Sequence, residues 1–141
     1  MPLSNEKDKH IFFTSIRLMI CVGHADGYIS QKEISRIYQM VEKEHFTLRE
    51  RQILTSDIDE PKQPESIVED LGFLSKLEKL TLLRQLYHMA IADRNLTESE
   101  RDQIQHIANL LKIEPEKLQQ VEEWIMEGVS WRERWKQIVA E

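Results

Sequence analysis

The 141-residue chain is 40% hydrophobic and 31% charged, with four Gly, four Pro and a formal net charge of −6. Those values fit one folded domain and exclude a disordered chain. The acidic balance argues against nucleic acid and against simple attraction to an anionic membrane. The single cysteine, Cys21, rules out an internal disulfide framework and fits a reducing compartment. No apolar signal region opens the sequence and no stretch approaches the ~20 apolar residues of a membrane span, so a cytoplasmic protein is expected.

The first predicted element, residues 5–22, is apolar over most of its surface through F12-F-T-S-I-R-L-M-I-C-V22 and reads as a central helix. A turn at H24-A-D-G-Y-I29 follows, with Gly27 suited to a left-handed helix stop. Ser30 and Glu33 then form a capping box, flanked by Ile29 and Ile34 as a hydrophobic staple, and Ile34, Ile37, Tyr38 and Val41 make a helical stripe. Thr47 and Glu50 open another helix in the same way.

Residues 57–72 depart from this pattern. D57-I-D-E-P-K-Q-P-E-S-I-V-E-D70 holds six acids and one lysine and is interrupted by Pro61 and Pro64. It reads as a mobile acidic connection followed by a short helix ending at Gly72. Ser75 and Glu78 then start a second central helix, about 75–91, and Thr97 and Glu100 start an outer one with Ile104, Ile107, Ala108 and Leu111 on its apolar face. Pro115 suits a first helical turn, continued by Leu118, Val121 and Ile125. A fifth capping box, Ser130 with Glu133, predicts a separate Trp-rich helix over 130–140. The expected fold is all-α, a single domain over 1–141 with about seven or eight helices.

An offset of sixty-seven residues superposes much of the pattern. Asp26 pairs with Asp93, Ser30 with Thr97, Glu33 with Glu100, Ile16 with Leu83, Met19 with Leu86 and Ile37 with Ile104. Two halves, about 10–56 and 75–127, are therefore expected to bury their apolar faces against each other with approximate two-fold symmetry. The small pairs Gly23/Ala90 and Ala25/Ala92 would permit close backbone approach near the turns.

The repeated A25-D-G-Y-I-S-Q-K-E-I34 and A92-D-R-N-L-T-E-S-E-R101, with L74-S-K-L-E-K-L-T-L-L83 before the second, resemble the TerB family over about residues 10–125. That family is the tellurite-resistance-associated helical domain, similar also to the N-terminal part of DjlA-type co-chaperones. The resemblance implies a compact cytoplasmic bundle, non-enzymatic, linked to metal stress and binding metal through acidic positions. The His-Pro-Asp signature of a J-domain is missing from this sequence, so co-chaperone activity is not implied.

Neither turn is an ordinary calcium loop. Aligned on Asp26, Gly27 and Glu33, the first and third ligand positions fall on Val22 and His24, and in the second copy on Met89 and Ile91, with Arg94 in place of the glycine. Capping explains these residues without an ion. If the two turns lie side by side, however, Asp26, Glu33, Asp93 and Glu100 form a candidate weak site for Ca²⁺, Mg²⁺ or Mn²⁺.

Signals for catalysis are sparse. Cys21 lies in an apolar helix and reads as a core thiol, a Cys21/His88 dyad lacks any orienting group, and no phosphate loop or zinc spacing occurs. A non-enzymatic protein is expected. All three tryptophans, Trp124, Trp131 and Trp135, lie in the last twenty residues, with Arg132, Arg134 and Lys136 among them. Large aromatics usually fill cores, so this helix is first expected to pack on the bundle. The alternative is docking of a protein partner, or peripheral membrane association, through Trp124, Trp131 and Trp135.

Overall fold

The computed structural model describes residues 6–91 and 96–141. Seven helices and no strand occur among them: α1 (Glu6–Gly23), α2 (Gln31–Glu42), α3 (Leu48–Asp59), α4 (Pro64–Glu69), α5 (Lys76–Ala90), α6 (Glu98–Leu110) and α7 (Pro115–Ala140). Four of the five expected capping boxes set helix starts. Ser30/Glu33, Thr47/Glu50, Ser75/Glu78 and Thr97/Glu100 each make both reciprocal hydrogen bonds. The turn after α1 passes through Gly27 at φ +95°, the left-handed region that glycine enters without a Cβ clash.

The fifth box is corrected. Ser130 and Glu133 lie inside α7, which runs unbroken from Pro115 to Ala140. No proline or terminating turn precedes Ser130, and Gly128 alone costs a helix only ~1 kcal/mol. The backbone therefore keeps its own hydrogen bonds and never offers Ser130 an orphan N–H to cap.

Helix α1 is the hub. It packs most extensively along α5 and also touches α2, α3, α4 and α6. Ile16, Leu18 and Val22 of α1 meet a core that includes Leu83, Leu86 and Tyr87 of α5. The repeat-related pairs Ile16/Leu83, Met19/Leu86 and Ile37/Ile104 are all buried, so equivalent sequence positions have equivalent burial. At the end of α1, a Cβ on Gly23 would stand 2.9 Å from Ile29 Cδ1, which explains the small residue there.

Of the stretch 57–72, residues 57–59 close α3, and 64–69 form α4, the short helix expected before Gly72. The first acid of the stretch, Asp57, is 2% exposed and accepts from Arg17 Nε at 2.7 Å and from a second guanidinium nitrogen at 3.2 Å. Lys62 Nζ stands 3.7 Å from the same carboxylate, and His24 Nε2 lies 2.9 Å from the Asp57 carbonyl. The local excess of acid had suggested a solvated segment; the compensating cation comes from forty residues upstream.

Candidate functional site

Two places gather the residues singled out from the sequence. The first is the junction of the two hairpin turns. Thr97 Oγ1 donates toward Asp26, 2.9 and 3.1 Å from its two carboxylate oxygens, and accepts from the Glu100 backbone N–H at 3.1 Å. One hydroxyl thus ties the first turn to the start of α6. Glu33 and Glu100 are both buried beside it, and each spends one oxygen on its own cap, Ser30 N–H at 3.0 Å and Thr97 N–H at 3.1 Å. Burial raises the Glu100 pKa, its hydrogen bonds to Thr97 oppose that rise, and the charges of Glu33 and Asp26 add to it. Asp26, Glu33 and Glu100 therefore share one neighbourhood, as the repeat suggested. Asp93 lies outside the described residues. Among the described residues, no group of three His, Cys, Asp or Glu side chains forms a metal-holding arrangement.

The expected inertness of Cys21 has a physical basis. Its thiol is buried, donates toward the Lys62 carbonyl over 3.4 Å and has a pKa pushed up to about 12, chiefly by desolvation and then by Asp57. His88 has different surroundings: burial lowers its pKa first, then the cations of Arg36, Arg84 and Arg132. No Cys21/His88 dyad forms.

The second place is the outer part of α7. Its inner half is well anchored. Ile125 is buried, Leu118 and Val121 pack on the core, and Glu122 accepts from the Tyr87 hydroxyl at 2.9 Å and from Arg101 Nε at 3.2 Å. The Tyr87 phenol is pushed well above its ordinary range, first by burial and then by that bond to Glu122. Sequence reasoning did not find this three-helix tie. A tyrosine inside an apolar run gives no sign of needing a polar partner thirty-five residues away.

From Trp124 onward the helix turns its tryptophans outward. Trp124, Trp131 and Trp135 are 58%, 78% and 65% exposed, with Ile138 and Val139 also in solvent. Val129, Arg132, Glu133 and Lys136 line a shallow cleft with Arg36, His88 and Ile91. The first expectation, that the tryptophans pack on the bundle, is therefore overturned. Val129, Arg132, Glu133 and Lys136 take the bundle-facing side of this segment; on the other side His88 shares only a shallow pocket with Trp124 and Trp131, and more than half of each tryptophan stays in solvent.

No helix among the described residues is long and apolar enough to cross a membrane. A family model described as "Protein of unknown function (DUF533)" matches residues 4–125, which include α1 to α6 and the inner part of α7, with Trp124 but neither Trp131 nor Trp135. No curated protein and no solved structure matches the chain.

Proposed function

The chain belongs to the DUF533 family, and on that premise we propose that it is a non-enzymatic, TerB-like docking module whose recognition surface is the tryptophan face of α7. One observation carries this reading: three tryptophans stand more than half exposed on a helix whose inner half is firmly held. Exposed apolar patches of this size mark interaction sites, and Trp and Arg are the usual anchors of protein interfaces. The occupant is a protein surface. Glu123 and Glu127 near Trp124 set acid beside the bases Arg132, Arg134 and Lys136 near Trp131 and Trp135, and a protein surface, unlike an anionic membrane, offers both signs of charge. The TerB resemblance supports a setting in a cytoplasmic tellurite or metal-stress response.

A weak Ca²⁺, Mg²⁺ or Mn²⁺ site at Asp26, Glu33 and Glu100 is less well supported. Asp26 holds the Thr97 hydroxyl, and Glu33 and Glu100 close capping boxes, so each carboxylate already serves the fold.

Site-specific photo-crosslinking in cells tests the docking reading. A crosslinking side chain replacing Trp135 is expected to give discrete protein adducts, and one replacing the exposed Arg49 on α3 is expected to give none. Equal labelling from both positions, or none from position 135, would overturn it.

A further inference from the structure

Of the surfaces on this molecule, the outer face of α7 is complementary to itself. At 100° per residue, Trp124, Trp131 and Ile138 fall on one line, roughly 21 Å long. Gly128 and Trp135 flank that line on one side, and Glu127 and Arg134 flank it on the other. An added Cβ at Gly128 would meet nothing within 4 Å, so its own chain does not require a glycine there. Glycine inside a helix costs ~1 kcal/mol relative to alanine, and here it leaves a notch in an otherwise bulky stripe. The outer flank also changes sign along its length: Glu123 and Glu127 precede Trp131 and Arg134 follows it.

We propose that the partner of this face is a second copy of the chain, bound antiparallel about a two-fold axis near Trp131. This rests on the docking reading above and names its occupant. In that arrangement each side of one helix meets the same side of the other. Trp135 lies over the partner's Gly128 notch, Trp124 meets the partner's Ile138, and Glu127 faces the partner's Arg134. Every contact occurs twice. A parallel pair in register would instead bring opposite sides of the two helices together and set Trp135 beside Trp135 and notch beside notch, so it would form neither the Trp135–Gly128 fit nor the Glu127–Arg134 pairs. Among the described residues neither Glu127 nor Arg134 makes an ion pair within its own chain, so both are available across the axis.

The area suffices for a reversible dimer. Three tryptophans supply about 450 Å² per copy. Ile138, Val139 and the flanking charges bring a pair to the ~1,000 Å² at which specific interfaces begin. The affinity expected is micromolar, with exchange between free and paired chains as concentration changes.

Sedimentation of the full chain across a concentration series tests this. The mass should rise from 16.8 kDa toward twice that value, and the double variant Trp131→Ala/Trp135→Ala should remain at 16.8 kDa with an unchanged circular dichroism spectrum. Glu127→Lys and Arg134→Glu should each weaken the dimer about tenfold, while an equimolar mixture of the two variants should restore it, because each then finds its opposite. A chain that stays monomeric throughout, a dimer indifferent to the tryptophans, or a mixture no tighter than either variant alone would overturn the proposal. So would a monomer that instead sediments with phosphatidylglycerol vesicles through the same tryptophans. If the chain is monomeric and position 135 still crosslinks to a different protein, the docking reading stands and only the identity of the occupant fails.

Discussion

Asp57→Ala is expected to destabilise the fold by about 3–5 kcal/mol, among the largest effects of any single substitution in the chain. Asp57 is the acid that takes two hydrogen bonds from Arg17 at the packing of α1 against α3. Arg17 is itself only 17% exposed. Its pKa is raised chiefly by the hydrogen bond to Asp57, against the opposing effect of burial. Removing the carboxylate leaves a largely buried guanidinium with Asp70, 3.8 Å away and mostly solvated, as its remaining acid. The loss is therefore that of an uncompensated charge rather than of one bond. Urea unfolding at neutral pH measures it. The double variant Arg17→Met/Asp57→Ala should recover part of the loss, since a buried pair replaced on both sides costs far less than one broken on one side. A single variant within about 1 kcal/mol of the parent would mean that the pair is solvated.

Leu83→Ala is expected to cost about 3–5 kcal/mol for a different reason. Leu83 is fully buried on α5, the helix along which α1 packs most closely, so truncation removes apolar contact and leaves a cavity between two rigid helices. Leu77→Ala is the matched control. It lies on the same helix at 75% exposure, so its change should stay within about 0.5 kcal/mol. Similar midpoints for the two variants in urea would contradict the α1–α5 seam as the centre of the core.

Helix starts were legible because a capping box is local: two side chains and two backbone N–H groups within four residues settle it. The same locality explains the failure at Ser130, where the motif is present and the helix simply continues through it. Burial of Ile16, Leu83 and Ile104 followed from periodicity, whereas the repeat made the meeting of Asp26, Glu33 and Glu100 conditional on the two turns lying side by side. Pairings between distant residues did not follow. The acids of 57–70 look solvated in sequence because Arg17, the partner of Asp57, lies on another helix. The tryptophans of α7 look like core residues because size and hydrophobicity favour burial, and only the course of the helix decides which side meets the bundle. Trp131 and Trp135 lie on the side that does not.

All three tryptophans lie on α7, so intrinsic tryptophan fluorescence reports on this helix alone. Acrylamide quenching of the dilute, folded chain, in the range where sedimentation shows single chains, is the most direct check on an open tryptophan face. The expected result is quenching nearly as efficient as in urea, with water-like emission, alongside the circular dichroism of an intact bundle. Blue-shifted emission that acrylamide barely reaches in those single folded chains would place the tryptophans in the protein's own interior and contradict the docking surface.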